Sequence, residues 1–454
     1  MDYDVVVVGA GQAGTPLALA LARKQLRVAV AESRHLGGSC VNFGCTPTKA
    51  VIASAAVADL ARRGEEFGLR IAPPEVDFAA VLQRADALAA YGRNVLTETF
   101  GEKRNPALLW GHARLCGRAG EGFRLEVGAH SVTARHVVID SGTRSLVPPI
   151  EGLAAADPLT AENWLERPSL PRRLAVIGGG TIGLEMAQFY RRMGSEVTVV
   201  EGGDRIAVPE DELVSDRLRA LLEREGLSFR CGAEAKRVEA ASEGVRLHLA
   251  DGSALEADAL FVAIGRKPNT GELGLESLGV ECDDEGCLVV DERLATSCPG
   301  LWAAGDVRGG PIFTHSAVDD ARVLASQIAG GGEATTAGRI VPYAVFTDPP
   351  LGRVGMTARA AREAGRSIRT GCYEMSSSGK ARELAATGGL IHVVTERGSD
   401  RILGAAILAP EAGELIHLYA MAMAQDVRWP AFQRQIHVHP TLAEALQSAF
   451  DELD

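Results

Sequence analysis

Two stretches of the chain repeat one pattern of apolar and polar positions. Residues 4–32 read DVVVVGAGQAGTPLALALARKQLRVAVAE, and residues 174–201 read LAVIGGGTIGLEMAQFYRRMGSEVTVVE. Each opens with an apolar, β-branched run of the kind that forms a strand buried on both faces. A glycine-rich turn comes next, then apolar residues at helical spacing, then a second apolar strand closing on an acid. The offset from first glycine to acid is 23 in both, Gly9 to Glu32 and Gly178 to Glu201. Between the repeats, residues 51–100 carry Ala, Leu and Arg at helical spacing and predict helices. Residues 124–140 predict strands, ending in VVIDSGTRSLVPPIEG, whose double proline marks a stiff crossing into the second unit.

That second unit runs to FVAIGRKPNT around 261–270. The segment 287–306, CLVVDERLATSCPGLWAAGD, predicts two further strands and ends on Gly305-Asp306. A glycine-rich stretch near 330–338 leads to a last region, 339–454. There strands (VPYAVF, GLIHVV, ILGAAIL) alternate with helices (GELIHLYAMAMAQ, TLAEALQSAF).

Composition narrows the picture. At 454 residues the chain exceeds one ordinary core, so two to four domains are expected. The balance of 46% apolar to 23% charged residues is that of a soluble globular protein. A net charge of −12 argues against nucleic acid and anionic membranes as partners, since both need a basic face. The apolar start carries Asp2 and Asp4 where a secretory signal needs a basic region, and glycines break it, so a cytoplasmic protein is expected. Eight cysteines in so long a chain do not make a disulfide scaffold.

Each G-x-G-x-x-G turn comes after a strand and opens a helix, which is the arrangement that binds a dinucleotide. Gly9, Gly11 and Gly14 in the first copy, and Gly178, Gly180 and Gly183 in the second, permit a tight turn. They also let backbone N–H groups approach a pyrophosphate at a helix N-terminus. Glu32 and Glu201 are placed to accept hydrogen bonds from ribose hydroxyls. A carboxylate at Glu201 repels a 2′-phosphate and favours NAD(H) over NADP(H), a preference that Arg205 can soften.

Cys40 and Cys45 lie in LGGSCVNFGCTPTKA, residues 36–50. Five positions along an ideal helix put Cα atoms about 8–9 Å apart, whereas a disulfide needs roughly 4.4–6.8 Å. A bond between them requires a distorted first turn, for which Gly44 supplies freedom. Thiols at a helix N-terminus would also be stabilised as thiolates. The plainer alternative is two buried free cysteines. Cys282 and Cys287 repeat the spacing around Asp-Asp-Glu-Gly and read as a hairpin with incidental cysteines. Near the C-terminus, HVHPTLAEALQSAF offers His439 and Glu444 as an imidazole oriented by a carboxylate for proton transfer. Thr441 and Glu444 equally match a capping box, and His437 is a neighbouring candidate.

Through these motifs the chain resembles the class I pyridine nucleotide–disulfide oxidoreductases over nearly its whole length. The likeness rests on the first glycine turn, GGSCVNFGCTPTK, SGTRSLVPPIEG, GGGTIGLE, AIGRKPN, LWAAGD, FTDPPLGRVGMT and HPTLAE. It implies an α/β fold of two Rossmann-like units and a C-terminal α+β dimerisation domain. The divisions would be an FAD-binding domain at 1–147 and 268–336, an NAD(P)-binding domain at 148–267 and an interface domain at 337–454. It also implies FAD at Gly9, Gly11, Gly14, Glu32, Gly142 and Asp306, and nicotinamide nucleotide at Gly178, Gly180, Gly183, Glu201 and Gly265. Lys49 would pair with Glu185 near the flavin, though alone each reads as a helix-surface charge. Cys45 would face the flavin as a thiolate and Cys40 would exchange with substrate. His439, oriented by Glu444, would serve the disulfide of a partner subunit, which makes a homodimer necessary.

The departures guide the choice of branch. CTPTK replaces C-x-P-S-K, and Thr181 stands where several relatives have a tyrosine covering the nicotinamide pocket. The last cysteine is Cys372, so the C-terminal cysteine pair of mercuric reductases is missing, and no metal site is assigned. FTDPPLGRVGMT and GCTPTK resemble the mercuric or copper reductase-like branch, with a small molecule or metal ion as acceptor. His439 resembles dihydrolipoamide dehydrogenase. A flavoprotein redox sensor without turnover is a third expectation.

Overall fold

The structure, a computed structural model, describes residues 1–101, 104–241 and 243–454. The first repeat forms β1 (Tyr3–Val8), α1 (Gly14–Arg23) and β2 (Val28–Glu32). Then come α2 (Gly38–Asn42), α3 (Cys45–Arg62) and α4 (Phe78–Gly101), where the helical spacing predicted helices. Strands β3 (Ala107–Trp110), β4 (Ala113–Ala119), β5 (Gly122–Val127) and β6 (His130–Ile139) complete most of a sheet ordered β3-β2-β1-β6-β5-β4. Its centre is parallel, Val5 pairing with Val28 on one side and His136 on the other. Val5 and Val7 pack with Leu17 and Leu21 of α1 on one face, while Val6 and Val8 enter the core on the other. Both faces are buried, which explains the unbroken apolar run.

A short ribbon of β7 (Thr143–Ser145) against a later strand carries the chain across to the second repeat. That unit comprises β8 (Arg173–Ile177), α5 (Thr181–Met193), β9 (Glu196–Val200), α6 (Glu212–Arg224) and β10 (Ser228–Arg230). A meander comes next, β11 (Ala235–Ala240), β12 (Val245–Leu249) and β13 (Ala254–Ala257), and then β14 (Ala259–Val262). The parallel order is β10-β9-β8-β14, and β15 (Arg266–Pro268) pairs with β7 on the way back. Strand β16 (Leu301–Ala303) rejoins the first sheet beside β6, and α7 (Thr314–Ala329) packs against α1. The C-terminal region is an antiparallel sheet of β17 (Tyr343–Val345), β18 (Leu351–Gly355), β19 (Ile368–Glu374), β20 (Leu390–Glu396) and β21 (Ile402–Leu408). Its order is β17-β18-β21-β20-β19, with a helix over Ala412–Ala424 packed on it. The expected α/β class with two Rossmann-like units and a C-terminal α+β unit is the fold observed.

Some local expectations differ. Of the two strands predicted over 287–306, only β16 forms. Around Leu288 there is a single bridge to Cys282, because Asp283 Oδ1 captures the N–H groups of Glu285 and Cys287 and bends the chain. Within TLAEALQSAF, only Ala445–Ser448 is helical. Its opening residues are tied into a turn by Thr441 Oγ1 donating to Val438 O (2.7 Å).

Helix α5 locks the units together. Glu185, Gln188 and Arg192 lie at helical spacing and face the loop before β18. Gln188 Nε2 donates to Asp348 O (2.8 Å) and its Oε1 accepts Asp348 N–H (2.8 Å). Arg192 reaches Asp348 (2.7 Å), Glu225 (2.9 Å) and Asp59 of α3 (3.5 Å). Burial works against the guanidinium charge, but these carboxylates outweigh it and hold Arg192 charged.

Candidate active site

The two cysteines sit on either side of a break. Cys40 lies in α2, and the chain turns at Phe43–Gly44 before Cys45 opens α3. A Cβ on Gly44 would lie 2.9 Å from Ser39 O and 3.4 Å from Cys40 Cα, so only glycine lets the chain double back so tightly. Buried Asn42 staples the short helix by donating to Leu36 O (2.9 Å) and Gly38 O (2.7 Å). Buried Trp164, from the second unit's approach, donates to Phe43 O (3.1 Å) and fixes the bend. The distorted turn expected from the spacing is therefore a full interruption of the helix.

All eight cysteines are free thiols. The neighbouring Cys40 thiol is the main cause that pulls the Cys45 pKa down to about 6. Burial opposes this, while Thr314 Oγ1, 3.2 Å from Cys45 Sγ, and the positive charge of Lys49 assist. Cys40 moves up for the reciprocal reason. Burial also pushes up Cys231, Cys282, Cys287 and Cys372, so Cys45 is the thiol prepared as a thiolate.

One turn along α3, Lys49 Nζ meets Glu185 Oε2 at 2.8 Å, and the other Glu185 oxygen accepts Phe346 N–H at 2.9 Å. Glu185 is 2% exposed, so it is no surface charge. The ammonium also lies 4.7 Å from the Phe346 ring centroid.

The glycine turns are near copies. Gly9 and Gly178 both have φ +109°, and an added Cβ would meet a facing carbonyl oxygen at 2.1 and 2.3 Å. Glu32 accepts the N–H groups of Ala10 (3.0 Å) and Arg34 (2.7 Å); Glu201 accepts those of Gly179 and Gly203 (both 2.7 Å). At Gly180, Gly142 and Gly265 a Cβ would meet nothing within 4 Å, so these positions leave room that the protein itself does not fill. Gly180 is open backbone at the N-terminus of α5, which fits the diphosphate of a dinucleotide there, and Gly14 begins α1 at the corresponding place in the first copy. A cavity of about 320 Å³ lies over the second turn, lined by Gly180, Thr181, Glu201, Gly265 and Arg266, with no aromatic side chain in its wall. Arg205 folds into its own loop, donating to Val208 O (3.4 Å). Asp306 accepts Thr143 Oγ1 (3.1 Å), and burial raises its pKa against the pull of Arg266.

His439 Nδ1 contacts Glu444 Oε2 at 2.9 Å, and this bond depresses the Glu444 pKa. Thr441 and Glu444 also exchange contacts of 3.4 Å, but within the turn before Ala445–Ser448, whose N-cap is Glu444 without a side-chain cap. The expected capping box therefore does not open the helix. The His439 side chain is 78% exposed. Among the described residues no hydrogen bond joins it to the cysteines of its own subunit. Cys282 and Cys287 flank a tight turn with Gly286 at φ +85°, a structural arrangement.

The pyridine nucleotide-disulphide oxidoreductase family profile matches residues 3–321, and that family's dimerisation domain matches residues 341–450. The chain belongs to this family. A dihydrolipoyl dehydrogenase of Thermus scotoductus is 35% identical, covering 99% of this chain and 97% of its own length. The probable pyridine nucleotide-disulfide oxidoreductase RclA of Escherichia coli is 31% identical, with 99% and 98% covered. Among solved structures, the Cu(II) complex of HOCl-induced flavoprotein disulfide reductase RclA from Escherichia coli matches with a TM-score of 0.89. That match has 30% identity and covers 99% of both chains. Members of the family are flavoprotein disulfide oxidoreductases using FAD and a pyridine nucleotide. Among the described residues no helix is long and apolar enough to cross a membrane, and no group of three or more metal-ligating side chains occurs.

Proposed function

We propose that this oxidoreductase passes electrons from NADH, through a redox-active Cys40–Cys45 pair, to a small molecule or metal ion, in the manner of the mercuric or copper reductase-like branch. The observation that carries the reading is the placement of the pair. Cys40 and Cys45 flank a helix break, and Cys45 opens α3 with Thr314 Oγ1 3.2 Å from its sulfur. One turn on, Lys49 is held by buried Glu185, in keeping with a Cys45 pKa drawn down to about 6. Bound FAD supplies the two-electron step between nicotinamide and sulfur. Gly9, Gly11, Gly14, Glu32, Gly142 and Asp306 would hold it, and Gly178, Gly180, Gly183, Glu201 and Gly265 the nicotinamide nucleotide. Cys45 is the sulfur that keeps negative charge after reduction, and Cys40, holding the proton, is the sulfur that exchanges with the acceptor. Lys49, fixed by buried Glu185, places a positive charge beside that thiolate. The Glu201 carboxylate, with Arg205 engaged by Val208 O of its own loop, favours NAD(H) over NADP(H). We assign the protein to the cytoplasm, a compartment that keeps such thiols reducible.

The Cu(II) complex formed by the similar RclA supports a metal ion as acceptor. One observation favours a dihydrolipoamide dehydrogenase instead. The exposed His439, held by Glu444, suits proton transfer to a dithiol substrate across the interface of a homodimer. Steady-state NADH oxidation with lipoamide, Hg(II) and Cu(II) as rival acceptors separates the two. Brisk metal reduction with slow lipoamide turnover is expected, and fast turnover with lipoamide alone would overturn the branch assignment. His439→Gln is expected to lower any lipoamide activity by about 10²-fold or more while hydride transfer from NADH to flavin is kept.

A further inference from the structure

The two glycine turns differ in one buried group. Asp140 comes directly after β6 and Ala263 directly after β14, and each presents its carbonyl oxygen to the first glycine of its turn, so the two positions correspond. One carries a carboxyl where the other carries a methyl. Asp140 is 7% exposed, and its Oδ2 accepts the N–H of Gly14, the first residue of α1, at 2.7 Å. Three glycines from two separate turns make its slot. A Cβ on Gly11 or Gly14 would lie 2.8 or 2.9 Å from Oδ2, and one on Gly305 2.6 Å from Oδ1. Over the second turn, a Cβ on Gly180 would meet nothing within 4 Å, and the nearest side-chain atom to one on Gly183 is the Ala263 methyl at 3.5 Å.

We propose that Asp140 is a positioning residue for FAD: it fixes the Gly11–Gly14 turn from below and makes the first site a permanent seat, while Ala263 leaves the second suited to a nucleotide that exchanges. The inference rests on the assignment of FAD to the first turn. A carboxylate in this place would repel the diphosphate, so its protonation matters. The charged groups facing it are Asp306 from the turn after β16, Asp320 from α7 and Glu32 from β2. Asp320 is itself neutralised by Arg308 (2.6 Å) and Arg339 (2.8 Å). Burial first, then these carboxylates, raise the Asp140 pKa well above the ordinary carboxyl range against the pull of Gly14 N–H. A neutral acid accepts the Gly14 N–H without opposing the cofactor, and an amide would do the same.

Reconstitution of the FAD-free full chain tests this, with flavin fluorescence reporting the FAD Kd and NADH binding to the second turn as the control. Asp140→Ala is expected to raise the FAD Kd about 10- to 100-fold, the effect of losing a buried hydrogen bond beside a charge, with NADH binding unchanged. Asp140→Asn is expected to keep FAD affinity at pH 6. Once the acid ionises against the diphosphate, rising pH should weaken FAD binding by the natural chain and leave Asp140→Asn unaffected. Natural affinity in Asp140→Ala, or Asp140→Asn losing FAD as alanine does, overturns the proposal. If Asp140→Ala does not fold, Asp140→Asn decides alone: loss of FAD by this variant, which keeps an acceptor for Gly14 N–H, overturns the proposal. Failure of the natural chain to bind FAD at all would instead remove the assignment on which the inference rests.

Discussion

Glu32 and Glu201 close the two nucleotide turns in the same way, each accepting one N–H from its turn and another two residues beyond itself. The chain that leaves them is built for different ends. After Glu32, Gly37 N–H returns to Ala10 O (2.8 Å), and the helix break then delivers Cys40 and Cys45 beside the turn. After Glu201, the segment that lines the cavity is anchored outside its own unit, at Glu210 and Asp211. Arg353 of β18, fully buried, bonds Glu210 at 2.8 Å, Tyr343 bonds the same carboxylate, and Asp211 accepts the N–H groups of Ala358 (3.0 Å) and Arg359 (3.2 Å). The repeated turn is thus a shared frame. What differs is the segment beyond the acid: a cysteine pair at a helix break in one copy, a tether to the C-terminal unit in the other.

The sharpest way to separate the copies is Cys45→Ser. It should lower disulfide-dependent turnover on the order of 10³-fold while FAD and NADH still bind, as steady-state rates and nucleotide titrations would report. Retained turnover would put the reactive sulfur elsewhere. The tether is broken by Arg353→Met, which leaves the buried Glu210 charge without its cation and with only the Tyr343 hydroxyl. A loss of about 3–5 kcal/mol is expected from denaturant unfolding, with a raised KM for NADH and FAD still bound. Equal loss of both nucleotides would erase the difference between the two copies. Glu201→Gln should narrow the NADH-over-NADPH ratio of kcat/KM by about tenfold, roughly 1.4 kcal/mol; an unchanged ratio would leave the acid as a clasp for its turn and nothing more.

The smallest effect is a titration. Cys45 is depressed from 9.0 to about 6 in the fold. A depressed acid stabilises the folded state fully above its unfolded pKa, and that contribution declines between the two values and is gone once the pH has fallen through the lower one. Thiolate ultraviolet absorbance of the reduced FAD-free chain should therefore titrate near 6, and the step should be missing in Cys45→Ser. A midpoint near 9 would mean that Cys40, Thr314 and Lys49 do not act on this sulfur.

The parts of the site legible in the sequence are those whose reason is local. Both glycine turns, both acids and the need for a distorted turn at Gly44 are dictated by spacing and backbone geometry over a few residues. The parts that stayed hidden depend on partners far along the chain. Trp164 secures the bend from 121 residues beyond Phe43, and Thr314 meets Cys45 from 269 residues beyond it. Asp140 looks like the polar end of a strand until the folded turn closes over it. In the C-terminal unit, Leu351–Gly355 was not among the predicted strands, because two glycines and an arginine break its apolar pattern, although it lies inside the sheet. Glu444 was readable as a cap or as a partner of His439; the helix starts only at Ala445, and the carboxylate goes to His439.

Anaerobic titration of the FAD-loaded protein with NADH tests the central claim most directly. Two redox centres in series should consume about two equivalents of NADH, one for each two-electron couple, and a long-wavelength absorption from thiolate beside flavin should appear as the first is consumed. Cys45→Ser should stop at about one equivalent without that absorption. A natural chain that also stops at one, with Cys40 and Cys45 still oxidised, would contradict electron transfer through the pair.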